Sequence, residues 1–182
     1  MRRTAVALAL LIVPVLAFSG CAPTPPPATG DPKPSSTPLF ANEEEALKAA
    51  TEAYAAYVEV SDQILMDGGK DPGRLTSVAT GDQLKENLKG YTRARDEGLH
   101  STGGTNFDRL RVQQIGTVRE SAVVVYLCED LSLVDVLDAS GSSVVAPSRP
   151  DKAGYEVSFS FGSTVPPVLK VASKTPWSEY TC

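Results

Sequence analysis

Histidine is nearly missing from this chain: His100 is the only one in 182 residues. A Ser/His/Asp mechanism would have to use it, yet it stands in the glycine-rich stretch 98–104, and no serine has the setting of a nucleophile elbow. EF-hand spacing is missing among Asp62, Asp67, Asp71, Glu129, Asp130 and Asp135. Gly103-Gly104 lacks the Lys-Ser/Thr of a phosphate loop. No apolar run reaches the roughly 20 residues that span a bilayer. These absences leave no expected cofactor, no metal and no assigned catalytic residue. Internal repeats are missing too.

What is present begins at the amino terminus. Arg2 and Arg3 precede a fifteen-residue apolar segment, Thr4 to Phe18, broken at Pro14. A charged start followed by a short apolar run has the layout of a secretory signal rather than a membrane span. Ser19-Gly20-Cys21 resembles the bacterial lipobox, which implies acylation of the Cys21 thiol and cleavage just before it. Small residues at the two positions before the cysteine fit; Phe18 departs from the usual Leu. A plain secretory signal cut near Gly20 is the alternative, and it would leave Cys21 a free thiol. A twin-arginine reading fails on Thr4-Ala5-Val6. The expected division is a signal over 1–20, a lipidated cysteine and proline-rich tether over 21–41, and a folded head over 42–182. The lipid is the expected membrane partner, at the outer face of the cell membrane, because two acyl chains hold a protein where one barely does.

Cleavage removes Arg2 and Arg3 from the 17 basic residues and none of the 22 acidic ones, so the net charge moves from −5 to about −7. Such a body is repelled by nucleic acid and anionic lipid. With Cys21 acylated, Cys128 and Cys182 remain as a pair in an oxidising compartment, and a disulfide between them is expected. No His/Cys cluster is then left to bind zinc. Proline at 23, 25, 26, 27, 32, 34 and 38 favours extended polyproline II, enough for a reach of about 50 Å.

In the head, Asn42 with Glu43, Glu44 and Glu45 sets an N-cap, a capping box and a favourable charge for a first helix that runs to Gly68-Gly69. Asp71-Pro72 opens a short helix to about Val78. Thr80 and Gln83 frame a second capping box for a helix to Glu97, stopped by Gly98 and weakened by about 1 kcal/mol at Gly90 relative to alanine. Beyond that the period changes to two. Strands are expected over 106–117, over Ser121 to Cys128 as a central strand, over Leu131 to Leu137, at Val144-Val145 after the Asp138 to Gly141 turn, over Tyr155 to Phe161, and from Pro166-Pro167 to about Lys174.

Helices first and strands after indicate an α+β fold. The order resembles the NTF2-like cone of SnoaL and ketosteroid isomerases, in which about five antiparallel strands curve around N-terminal helices. It is most similar to small actinobacterial lipoproteins that share the lipobox, the proline tether, the step Cys128-Glu129-Asp130 after a valine-rich strand, the Asp-Ala-Ser-Gly turn and Trp177 before a terminal cysteine. A cystatin-like sheet around one helix is the alternative. The resemblance implies a pocket, for which Tyr54, Tyr57, Tyr91, Tyr126 and Trp177 are candidate lining and Asp62 and Asp130 candidate carboxylates; the stronger reading makes the tyrosines core residues with their hydroxyls satisfied and Asp130 a turn after Cys128. Three functions follow: binding of a small apolar ligand or of an envelope protein without catalysis, a lyase or isomerase in the same cone, or a purely structural subunit. Dimerisation through the sheet is also implied.

Overall fold

The computed structural model describes residues 39–165, 167–179 and 181–182. The signal segment, Cys21 and the tether to Pro38 lie outside the described residues, as do Pro166 and Tyr180.

Helix α1 spans Glu43–Met66. The Asn42 side chain accepts the Glu45 N–H at 2.9 Å, and the Glu45 carboxylate accepts from Ala41 N–H at 2.7 Å, so the capping box closes one residue early. Ala46, Ala50, Tyr54, Tyr57, Val58 and Ile64 form its buried stripe. Gly68 and Gly69 end it with φ of 67° and 73°. A side chain at Gly69 would stand 2.2 Å from the Tyr91 carbonyl oxygen, so only glycine lets the two helices approach here.

Pro72–Ser77 is a 3-10 helix, and Asp71 enters it in a left-handed conformation without capping it. Helix α2 spans Gly81–Glu97 and stops at Gly98, as its sequence requires. Its expected capping box is absent. Thr80 makes no side-chain cap, and the Gln83 amide bonds to Tyr57 and Asn87 instead.

Four antiparallel strands form the sheet in the order β2 (Asn106–Val118), β3 (Ser121–Asp130), β5 (Lys152–Phe161), β6 (Leu169–Pro176). Register shifts in β2 and β6 bend the sheet at its edges, and Arg109 sits at one of them with φ of 54°. Both helices pack against β6, and α1 also reaches β2 and β3. Two α-helices against the sheet set it apart from the one-helix cystatin-like alternative.

The expected strand 131–137 is corrected by the structure. The Asp130 carboxylate accepts the Ser132 N–H at 3.0 Å and Leu131 N–H donates to Asp151 O at 2.6 Å, which turns the chain off the sheet. Only Asp135–Leu137 remains extended, as β4, paired with an unforeseen β1 at His100–Thr102 in a separate ribbon. Val144-Val145 stays in the turn beyond it, with Val144 N–H donating to Val136 O.

Alternation divides the sheet into two faces. Val123, Val125, Leu127 and Glu129 of β3, with Val157 and Phe159 of β5, face the helices and are buried. On the other face Cys128 is bonded to Cys182, with sulfurs 2.09 Å apart. Trp177 lies on Tyr126 with ring centroids 5.3 Å apart, and Arg109 donates to Thr181 O at 3.3 Å. The chain's own end therefore covers β3 on the face expected to receive a partner protein or a second copy.

Candidate ligand cavity

Four residues after Val125, the period of two sets Glu129 among the apolar side chains of the inner face, where it is 3% exposed. Its carboxylate is fully occupied. Tyr54 donates its hydroxyl to Oε1 at 2.6 Å, and Lys174 Nζ lies 2.9 Å from each oxygen. Lys174 comes from β6 across the intervening β5, and its ammonium stands 4.4 Å from the centre of the Tyr155 ring. A charge pair this deep is stable only because its protons and lone pairs are matched.

Beside Lys174 opens a cavity of about 510 Å³ between α1, α2, β4 and β6. Leu65, Ala94, Leu99 and Val136 give it apolar walls. Its polar end is a chain of uncharged groups. The Tyr57 hydroxyl accepts from Gln83 Nε2 at 2.8 Å and from Asn87 Nδ2 at 3.0 Å; Asn87 Nδ2 also reaches the Tyr91 hydroxyl at 3.2 Å; Tyr91 and Ser61 share a hydrogen bond at 2.6 Å. Burial raises the pKa of the Tyr57 and Tyr91 phenols, with the neighbouring donors working against it. Burial, followed by the Glu129 carboxylate, holds Tyr54 well above the ordinary tyrosine value. Glu86 and Arg93 at the rim are engaged by Lys89 at 2.7 Å and Glu97 at 2.8 Å.

Of the seven pocket candidates, Tyr57 and Tyr91 line this cavity. The other five do not. Tyr54 is core beneath it. Asp62 anchors the loop before β2 by accepting from Thr105 N–H at 2.7 Å and Thr105 Oγ1 at 2.9 Å. Asp130 points to the opposite face, bonded to Ser132 and, at 3.1 Å, to Lys152, and these partners lower its pKa to about 2. Tyr126 and Trp177 stack on each other on the outer face. Glu129 and Lys174 were legible only through register: Glu129 is in phase with Val125 and Leu127, while Lys174 needs the β5–β6 pairing to bring it there. Gln83 and Asn87 lie one turn apart on α2, a spacing that marks a common face but not what it faces.

No family model matches the chain, and no curated relative does. The fold has a solved counterpart. The intermembrane space region of the chloroplast protein ARC6 superposes with a TM-score of 0.50 at 13% identity, over 71% of this chain and 95% of that one. Aln2 from a Streptomyces species superposes with a TM-score of 0.45 at 18% identity, over 74% of this chain and 91% of that one. At 13% identity the likeness to the ARC6 region is one of fold alone. Among the described residues no helix is long and apolar enough to cross a membrane.

Proposed function

We propose that residues 42–182 form an NTF2-like cone that binds a small, largely apolar molecule without transforming it, and that acyl chains on Cys21 hold it at the outer face of the cell membrane. The cavity carries this reading: at about 510 Å³ it lies within the few hundred to one thousand Å³ usual for ligand sites, with apolar walls and a few placed polar groups. Binding is favoured over acid/base catalysis because the buried carboxylate beside the cavity, Glu129, is held by Lys174 and Tyr54. The lipobox-like Ser19-Gly20-Cys21 supports the tether.

Mass spectrometry of protein extracted from membranes tests both halves. Expected are a diacylglyceryl group on Cys21 as the new amino terminus and a small molecule retained without covalent attachment. A water-soluble product with an unmodified Cys21 overturns the anchor; an empty head under gentle extraction counts against the ligand.

A further inference from the structure

Far from the cavity, an apolar surface gathers at the end of the head where β5 passes into β6. The turn between those strands carries Val165, 96% exposed, and Val168, 47% exposed, and the β2–β3 turn adds Val118, 53% exposed. The two turns adjoin: Phe161 N–H donates to Arg119 O at 2.8 Å, and the Arg119 guanidinium donates to Gly162 O at 2.9 Å. Beside them runs a groove of about 340 Å³ walled by Ala49, Ala53, Val78, Phe161 and Pro167. Single exposed valines are ordinary, but three on adjoining turns beside an apolar groove make a patch that calls for a partner.

The place where the chain enters the head says which partner. Phe40 is buried and stacks on Phe161 with ring centroids 5.8 Å apart, so the described chain starts at this same edge. Only the segment from Ala22 to Pro38 separates that entry from Cys21, a reach of at most about 50 Å. A head held so close meets the bilayer at high effective concentration, and a contact too weak to capture a free protein then suffices. The other surfaces fit lipid less well. Lys85, Glu86, Lys89 and Arg93 charge the outer side of α2, and the chain's own end covers the outer sheet face. Charge also sets the kind of contact. Glu43, Glu44, Glu52 and Glu120 share these segments with Lys48, Arg119 and Lys170, so the edge has no basic excess to attract anionic headgroups.

We infer that Val118, Val165 and Val168 seat this end of the head in the headgroup boundary of the membrane that receives the acyl chains, by apolar contact. The inference rests on the anchor proposed above. Trp177 is the only tryptophan, so Trp177→Phe clears the emission for a reporter. Val165→Trp and, as control, Leu133→Trp are placed separately in that background; Leu133 is exposed as well, but it follows the opposite end of β3 from the Arg119 turn. The acylated full chains are reconstituted into phosphatidylcholine vesicles with plain or brominated acyl chains. For an indole about 5–10 Å into the boundary, Val165→Trp should shift to the blue and lose about half of its emission to the brominated lipid. Leu133→Trp should do neither. Adding Val168→Asp should remove most of the quenching, and added salt should leave it unchanged. Chains that float with the vesicles but show no quenching at 165, equal quenching at both positions, or quenching untouched by Val168→Asp overturn the contact and leave the anchor standing. A blue shift without quenching, together with a doubled mass, assigns the patch to a second copy and overturns the lipid contact. Chains that do not float overturn the anchor and the contact together.

Discussion

The Lys174 ammonium lies 2.9 Å from both carboxylate oxygens of Glu129, across a strand that separates their own, and the Tyr54 hydroxyl closes the pair from the helix side. Removing one partner leaves a charge stranded in the core. Lys174→Met is expected to cost about 3 kcal/mol, the lower end for a broken buried pair because the Lys174 side chain is 20% exposed. Replacing the whole group, Tyr54→Phe with Glu129→Leu and Lys174→Met, is expected to return about 2 kcal/mol of that loss, since no buried polar group is then orphaned. Urea unfolding measures both. A single variant as stable as the wild type would show that the pair carries no weight.

The Cys128–Cys182 bond ties the end of the chain to the outer face of β3 across a sequence separation of 54. On the chain-entropy account a loop of that length contributes about 4 kcal/mol. Cys182→Ser is expected to lose most of it and to release Trp177 from Tyr126, lowering the near-ultraviolet circular dichroism. A reductant should reproduce both effects in the wild type and neither in the variant.

Acid should loosen the turn after β3. The Ser132 hydrogen bonds, followed by Lys152, hold Asp130 near a pKa of about 2, below its ordinary value. A depressed carboxylate adds stability above its unfolded pKa and loses it as pH falls through the folded one, so the loss is expected between about pH 4 and pH 2. Asp67, Asp82 and Asp138 are lowered too and share that window. Thermal midpoints against pH should fall less steeply over it in Asp130→Asn than in the wild type.

Alkali acts through the tyrosines. Burial raises Tyr54, Tyr57 and Tyr91 above 10, so the unfolded chain ionises first and stability is full below about pH 10 and declines above it. Spectroscopic titration should show tyrosines that ionise only with unfolding, fewer by one in Tyr54→Phe.

The helices were the most legible part of the sequence. Asn42, Glu45 and the Gly68-Gly69 pair mark the bounds of α1 by local chemistry alone, and Gly98 does the same for α2. Tyr155 to Phe161 is legible as strand from its alternation, whereas the first three residues of β5, Lys152–Gly154, carry no such pattern and read as loop. What misled were groups whose local use competes with a distant one: Gln83 fits a capping box by spacing, yet it is drawn to the Tyr57 hydroxyl. The buried carboxylate stands one residue before the one the sequence singles out for the pocket. Asp130 and Glu129 are adjacent, but a strand sends neighbours to opposite faces, so one makes a turn and the other the buried pair. Tyr126 and Trp177 have the chemistry of pocket lining, but parity with Cys128 places Tyr126 on the outer face, and Trp177 stacks on it there. β1 left no signal because three residues are too few for a period to show, and β4 is the last part of the strand expected over 131–137.

The central claim is that the space beside Gly90 is a binding site. Gly90→Ala is expected to raise stability by about 1 kcal/mol, since its Cβ meets nothing and the helix gains. Gly90→Trp puts an indole into the cavity from the same open position. The direct measurement is a titration of both the wild type and Gly90→Trp with Nile red, a small, largely apolar dye. The account predicts one saturable, blue-shifted dye per wild-type chain and none in a folded Gly90→Trp. Equal binding by the two proteins, or no saturable binding by the wild type, would contradict it.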